Sequence, residues 1–201
     1  MSTKKEQAIN DIMTSFREMA TLTLGQLTLL EKLMASADDS SFNAVVTTLR
    51  EAENRIDNFE VVISEQFTNT IVLYQPVASD VRRIVACYRM TVNLERIGDR
   101  IMNLVRILEK IRKSEEYPPV QALINNMLTS GAVMVEKSLL SFLNNDPDFA
   151  IWTIKNDSVI DEMNHKLLLN HIRKSGMDDR TLEMVLSYVE IKDMISNIER
   201  I

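Results

Sequence analysis

The sequence has few of the residues that bend or cross-link a chain. It contains four glycines, four prolines and a single cysteine, Cys87, in 201 residues. Glycine and proline serve turns and loops, so their scarcity indicates an all-α protein with short connections. One cysteine excludes a disulfide framework within the chain and is typical of a reducing compartment. Cys87 falls on an apolar helical face, where we expect a core residue.

Other absences argue against several classes of protein and function. No run of 18 apolar residues exists, and no apolar segment follows the first six residues, so the sequence predicts neither a membrane span nor a signal peptide. A net charge of −6 argues against a general nucleic-acid binder. There is no glycine-rich phosphate loop, no Cys-x-x-Cys motif, and no serine or cysteine placed with a histidine and an acid. Nothing in the sequence therefore supports nucleophilic catalysis, and we name no catalytic residue.

What the sequence does contain is apolar residues at helical spacing, interrupted by turn signals. The pattern predicts six helices, with Ser79 or Asp80 as the N-cap of the third and Ser175-Gly176 as the C-cap of the fifth. The first three run over about 4–36, 42–73 and 80–112, the fourth follows Pro118-Pro119 to about 143, the fifth spans about 148–174, and the sixth starts near 178.

Four pairs of acidic residues are spaced four apart, and their placement is more informative than their number. Positions four apart lie one turn apart on the same face of a helix. Glu53 and Asp57 are followed 104 residues later by Asp157 and Asp161. The pair Asp179/Glu183 has no such counterpart and is typical of a solvated helix face.

A second segment has the same offset. Asn-Leu-Glu-Arg-Ile at 93–97 returns as Asn-Ile-Glu-Arg-Ile at 197–201, so Glu199 corresponds to Glu95. Two features that share one offset indicate an internal duplication. The counterpart of Asp99 would lie two residues beyond the last one, so we expect the chain to be truncated inside its last helix.

The duplication predicts the architecture, which is two tandem up-down three-helix bundles. We place repeat 1 at residues 1–116 and repeat 2 at 117–201. In an antiparallel bundle, the second and third helices of each repeat can bring their acidic pairs together at one height. The residues concerned are Glu53, Asp57, Glu95 and Asp99 in repeat 1, and Asp157, Asp161 and Glu199 in repeat 2.

These carboxylates have two interpretations. As a metal site, their hard oxygen donors suit iron, manganese, magnesium or calcium, and can bridge more than one ion. Gly98 lies between Glu95 and Asp99, and a glycine inside a helix lowers its stability by about 1 kcal/mol relative to alanine. A glycine there would allow a neighbouring helix or an ion cluster to approach closely.

The other interpretation is salt bridging, which contributes about 0–1 kcal/mol for an exposed pair. The candidate partners are Arg55, Arg96, Arg100 and Arg200.

Two further patterns leave alternatives open. Glu162 and His165 fit the Glu-x-x-His motif of a carboxylate-bridged di-iron enzyme, but that chemistry needs two such motifs, and His171 lacks one. The third helix carries a basic series, which is either a solvated face or a docking surface for an acidic partner or phosphate. Its members are Arg82, Arg83, Arg89, Arg96, Arg100, Arg106, Lys110, Arg112 and Lys113.

Two motifs closely resemble the PhoU family. Pro-Val-Ala-Ser-Asp-Val-Arg at 76–82 is followed by Asn-Leu-Glu-Arg-Ile-Gly-Asp at 93–99. The family pattern has a Pro-Val-Ala-x-Asp-Leu-Arg segment that leads to Leu-Glu-Arg-Ile-Gly-Asp, within two three-helix repeats that carry Glu/Asp-x-x-x-Asp pairs. Repeat 2 departs from it, because Thr-Leu-Glu-Met stands at 181–184 and its last motif lacks the closing Asp.

The resemblance implies a cytoplasmic, non-enzymatic protein that negatively regulates phosphate uptake and phosphate-starvation signalling. It implies metal binding by the seven acidic residues of the two repeats, as multinuclear iron or as zinc or manganese. The implied partners are the cytoplasmic parts of a phosphate ABC transporter and of its sensor histidine kinase. It further implies a homodimer and membrane association only through these partners. A PhoU-like domain of a sodium–phosphate symporter is the alternative, and the start at Met1 favours a free-standing protein.

Overall fold

The computed structural model describes residues 3–36, 38–113 and 117–175, which form five α-helices and no strand. The all-α prediction is confirmed. The predicted sixth helix and the Gly176 cap lie outside the described residues. Across the described part of the chain, no helix combines the length and apolarity that crossing a membrane requires. The helices are α1 (Lys4–Met34), α2 (Asp39–Tyr74), α3 (Ser79–Ile111), α4 (Tyr117–Asn144) and α5 (Pro147–Ser175).

The first two helices begin at polar caps. Thr3 and Glu6 form a capping box at α1, in which each side chain accepts a hydrogen bond from the other residue's backbone N–H. Asp38 caps α2 by accepting from the Ser41 backbone N–H at 2.9 Å. These bonds satisfy N–H groups that the first helical turn leaves without a partner. They explain why α1 and α2 begin where they do.

The predicted cap of α3 is wrong. The N-cap is Ala78, which has φ 45° and no side-chain cap, and not Ser79 or Asp80. Asp80 instead accepts a hydrogen bond from Lys5 Nζ at 2.7 Å, so its carboxylate joins the first turns of α1 and α3. The turn before α3 contains a second residue with positive φ, Gln75 at 44°.

The apolar faces of α1, α2 and α3 pack against one another in a three-helix bundle, α4 packs on α1, and α5 packs on α4. Buried side chains from α1 to α4 form one core, with Leu128 and Val135 contributed by α4. Phe16 of α1 meets Phe142 of α4 edge to face, with 5.6 Å between ring centroids. Cys87 is fully buried, as expected, and burial raises the pKa of its thiol to about 12.

Candidate metal centre

Helices α2 and α3 place the four acidic residues of repeat 1 at one level of the bundle, at different depths. Glu53 stands in the apolar register of α2, one turn from Leu49, and its side chain is 9% exposed. Asp57 and Asp99 are exposed, and Glu95 is half-buried. Glu53, Asp57 and Asp99 line one open pocket of about 370 Å³. The arrangement is therefore one buried carboxylate beneath a more accessible acidic rim.

The buried carboxylate is held by a residue from α1. Gln26 Nε2 donates a hydrogen bond of 2.6 Å to Glu53 Oε2. Gln26 is itself fully buried. Glu53 Oε1 and Gln26 Oε1 are buried too, and neither has a hydrogen-bond partner among the described residues. Two buried acceptor oxygens without donors are costly, and they can be satisfied by a proton or by a cation.

Gly98 of α3 makes room for this pair. A Cβ atom at position 98 would collide with Glu53 Oε2 and would lie 3.1 Å from Gln26 Oε1. Any larger residue would have to displace the carboxylate or the amide. The close approach expected at Gly98 thus involves side chains of two neighbouring helices.

The carboxylates interact electrostatically. Burial raises the pKa of Glu53 to about 7, against the opposing hydrogen bond from Gln26, and the nearby carboxylates of Asp57, Asp99 and Glu95 raise it further. Burial raises the pKa of Asp57, and the nearby carboxylate of Asp99 raises it further. Burial also raises the pKa of Glu95. The carboxylates of Asp99 and Asp57 raise it further, whereas Arg96 lowers it. Repulsion of this kind favours a proton or a cation at the site.

The donor set fits a cation that prefers oxygen ligands. The four side chains supply carboxylate oxygens, and one of these oxygens is buried without a partner. Within the described residues, no three Asp, Glu, His or Cys side chains are already gathered closely enough to hold an ion. Because carboxylates without a cation repel, Asp57, Glu95 and Asp99 gain by staying apart, and they would have to turn toward Glu53 to share an ion.

The second set of acidic residues is described only in part. Asp157 is half-buried on α5. The side chain of Asp161 and the whole of Glu199 lie outside the described residues. His165 is exposed, and Glu162 is an exposed residue that pairs with Lys166 at 2.6 Å. The Glu-x-x-His motif therefore faces solvent on α5.

The basic series of α3 divides into two parts. Its last members tie α3 to the start of α2, because Arg112 and Lys113 both pair with Asp39. The guanidinium of Arg112 also lies over the ring of Phe42, 4.2 Å from its centroid. These two cations are structural. The other members are exposed, apart from the half-buried Arg100, and they are Arg82, Arg83, Arg89, Arg96, Arg106 and Lys110.

Comparison with a family model and with individual relatives indicates one protein family. The PhoU domain family model matches residues 16–108 and 124–201. A protein of Aquifex aeolicus named phosphate-specific transport system accessory protein PhoU homolog is 32% identical over 164 residues, or 77% of this chain and 72% of that protein. A homolog with the same name from Pseudomonas aeruginosa is 26% identical over 80% of this chain and 68% of its own length.

A solved structure shares the fold. The crystal structure of PhoU from Pseudomonas aeruginosa superposes with a TM-score of 0.76 and covers 96% of this chain and 91% of that one, at 22% identity. The family model matches the chain twice, which agrees with the predicted tandem repeat.

Proposed function

The chain belongs to the PhoU family, and we propose that it is a metal-binding regulator that restrains phosphate uptake and phosphate-starvation signalling when phosphate is plentiful. Its relatives are named as accessory proteins of the phosphate-specific transport system, which is a supporting and not a catalytic role. Family membership supports the cytoplasmic parts of a phosphate ABC transporter and of its sensor histidine kinase as partners. It also supports a homodimer.

The observation that carries the metal part of the proposal is the buried carboxylate of Glu53. A buried acid with a raised pKa and an unpartnered oxygen is retained at a cost in stability, and such groups are concentrated at functional sites. The three acidic side chains around it have no role in the apolar core. A shared cation explains why all four stand together.

Each residue has a distinct part in this centre. Gln26 holds Glu53 in place through its amide, and Gly98 leaves the space that both side chains occupy. Asp57, Glu95 and Asp99 turn inward to complete the oxygen donors. The bound ion, which we propose is iron, zinc or manganese, supplies the positive charge that removes the repulsion between the carboxylates. Binding thereby stabilises the contact between α2 and α3. By duplication, we propose Asp157, Asp161 and Glu199 as the second centre.

Metal analysis of protein purified without chelators tests the centre. The wild type should retain metal and gain melting temperature when iron, manganese or zinc is added to the stripped protein. Glu95→Gln with Asp99→Asn keeps size but removes charge, so this variant should lose the repeat 1 metal and its share of the gain. Asp11→Asn with Glu18→Gln is a matched control on the exposed face of α1 and should behave as wild type. A wild type that shows no metal and no thermal shift would overturn the metal role.

Phosphate physiology tests the regulatory part. Deletion of the gene should raise phosphate uptake or expression of phosphate-starvation genes while phosphate is plentiful. Complementation with wild type should restore repression, and complementation with the Glu95→Gln, Asp99→Asn variant shows whether the metal centre is needed for it. Unchanged phosphate physiology in the deletion strain would contradict the proposed regulation, whatever metal the protein holds.

A further inference from the structure

The last turn of α2 and the turn that follows it expose three aliphatic side chains at one end of the bundle. Val72, Leu73 and Val77 are 66%, 67% and 68% exposed. Tyr74, the last residue of α2, is half-buried. Single exposed aliphatic residues are ordinary, whereas a group of them at one place marks a surface that contacts something apolar. We call Val72, Leu73 and Val77 the α2–α3 tip.

The backbone of the turn fixes Val77 in its outward position. Gln75 and Ala78 both have positive φ, at 44° and 45°, although neither is glycine. Such conformations are disfavoured for residues with a side chain and persist where the surroundings require them. Between them Pro76 is buried and Val77 points to solvent. The Asp80 N–H donates to the Val77 carbonyl at 3.0 Å, which anchors the turn to the first turn of α3.

Cations lie at the same end of the bundle as the tip. Lys5 of α1 is joined to Asp80 of α3 at 2.7 Å, which brings the start of α1 beside the turn. Lys4 in α1 and both Arg82 and Arg83 in α3 are exposed at this end. Glu6 at the same end is engaged in the α1 capping box, and Asp80 is paired with Lys5. The four cations exceed these two acids, so the apolar tip has a positive rim in a chain whose net charge is −6.

We propose that the α2–α3 tip binds directly to a bilayer that contains anionic lipids, with Val72, Leu73 and Val77 entering the interface and Lys4, Arg82 and Arg83 meeting lipid head groups. Aliphatic side chains combined with basic residues are the general chemistry of such contacts. The three tip side chains are each about two-thirds exposed, which suits contact with a deformable surface better than binding of a helical peptide in a groove. This contact goes beyond membrane association through protein partners and does not depend on the metal centre.

Co-sedimentation of the full chain with protein-free vesicles tests the proposal. Wild type should bind vesicles that contain roughly 30% phosphatidylglycerol in phosphatidylcholine, bind pure phosphatidylcholine much more weakly, and be released by salt. Leu73→Asp with Val77→Asp should lower binding at least about tenfold, because it removes apolar contact and adds negative charge. Ile154→Asp with Val159→Asp is the matched control, since these residues of α5 are 65% and 61% exposed and lie elsewhere. It should bind as wild type does.

A second measurement reports insertion itself. Leu73→Cys can be labelled with an environment-sensitive dye, because Cys87 is fully buried and stays unlabelled in the folded protein. The dye should shift to shorter wavelength with anionic vesicles and be quenched by brominated lipids, whereas the same dye on Ile154→Cys should not respond.

Three outcomes would overturn the proposal. The first is equal binding of the tip variant and wild type to anionic vesicles. The second is a dye at position 73 that does not respond to lipid. The third is binding only to membranes that contain a protein partner, which would make the tip a protein-docking surface. None of these outcomes bears on the proposed regulation of phosphate uptake, which the deletion strain tests separately.

Discussion

Gly98 illustrates how one residue can be required by its lack of a side chain. In most helix interiors glycine is replaced by alanine with a gain of up to about 1 kcal/mol. At Gly98 the added methyl would collide with the Glu53 carboxylate, whose position is fixed by Gln26. The steric term therefore opposes the helix-propensity term, and the steric term should be the larger.

The first prediction compares two glycines that lie inside helices, Gly98 of α3 and Gly25 of α1. Gly98→Ala should destabilise the metal-free protein by about 1–3 kcal/mol, the usual range for overpacking. Gly25→Ala is the control, because a Cβ there would meet nothing within 4 Å, and it should stabilise by about 0.5–1 kcal/mol. Urea denaturation in the presence of chelator measures both. Adding Glu53→Ala to Gly98→Ala removes the colliding atoms and should recover part of the loss, and equal effects at the two glycines would contradict the collision.

The second prediction concerns pH and Glu53. Its folded-state pKa is raised from 4.5 to about 7, so the folded chain holds the proton more tightly than the unfolded chain. This stabilisation is fully present below about pH 4.5 and is lost as the pH rises through about 7. The metal-free wild type should lose on the order of 3 kcal/mol of unfolding free energy between about pH 5 and 8. The raised pKa values of Asp57 and Glu95 act in the same direction.

Urea midpoints across this pH range provide the measurement. Glu53→Gln should show a much flatter profile, because the group that contributes most has been removed. The pKa values of Asp38 and Asp39 are lowered from 3.8, so these two residues titrate below the window. A wild type that gains stability between pH 5 and 8 would contradict the buried, protonated carboxylate.

The site could be predicted from the sequence in part. The acidic pairs and the intervening glycine were visible because helical spacing fixes which residues share a face. Gln26 was missed, although it occupies an apolar position one turn from Leu30 and directly before Leu27, both buried. A polar residue in such a register is a signal. Its partner on another helix cannot be read from local spacing, because that depends on how the helices are rotated against each other.

At the scale of single helices, the third prediction compares two positions that both look like caps. Asp38→Ala removes the bond to the Ser41 N–H and should cost about 1 kcal/mol. Ser79→Ala should change stability by no more than about 0.5 kcal/mol, because α3 has no side-chain cap and Ser79 is exposed. Thermal denaturation measures the loss of stability in each variant. A larger loss for Ser79→Ala than for Asp38→Ala would show that the Ser79 side chain caps α3.

The helix boundaries followed from the sequence more reliably than the caps did. Prolines and polar clusters interrupt helices through local chemistry, so the ends of α1 and α2 lie close to their predicted positions. The cap of α3 was mispredicted because Asp80 is used by Lys5, a residue 75 positions away along the chain. Competition for one carboxylate between a local N–H and a distant ammonium group depends on the tertiary fold.

For the whole molecule, the duplication predicted two bundles but not how they join. Length, helix count and the 104-residue offset are properties of the sequence. The choice of α1 and α4 as the helices that meet depends on which apolar faces are left uncovered by the first bundle. Thr129 Oγ1 donates to Glu31 at 2.9 Å, and Gln121 Nε2 donates to the Met34 carbonyl at 2.5 Å along this contact. These bonds accompany an apolar core that continues from one repeat into the next.

The last prediction follows from that continuity. Trp152, the one tryptophan of the chain, lies on α5 in repeat 2, where Lys137 stands 5.8 Å from its ring centroid. If α1 and α4 couple the repeats, Gly98→Ala in repeat 1 should lower the urea midpoint that Trp152 fluorescence reports, and this midpoint should coincide with that of far-UV circular dichroism. Phe142→Ala removes the edge contact with Phe16 and should separate the two transitions. A Trp152 midpoint that Gly98→Ala leaves unchanged would show that the repeats unfold independently despite their shared core.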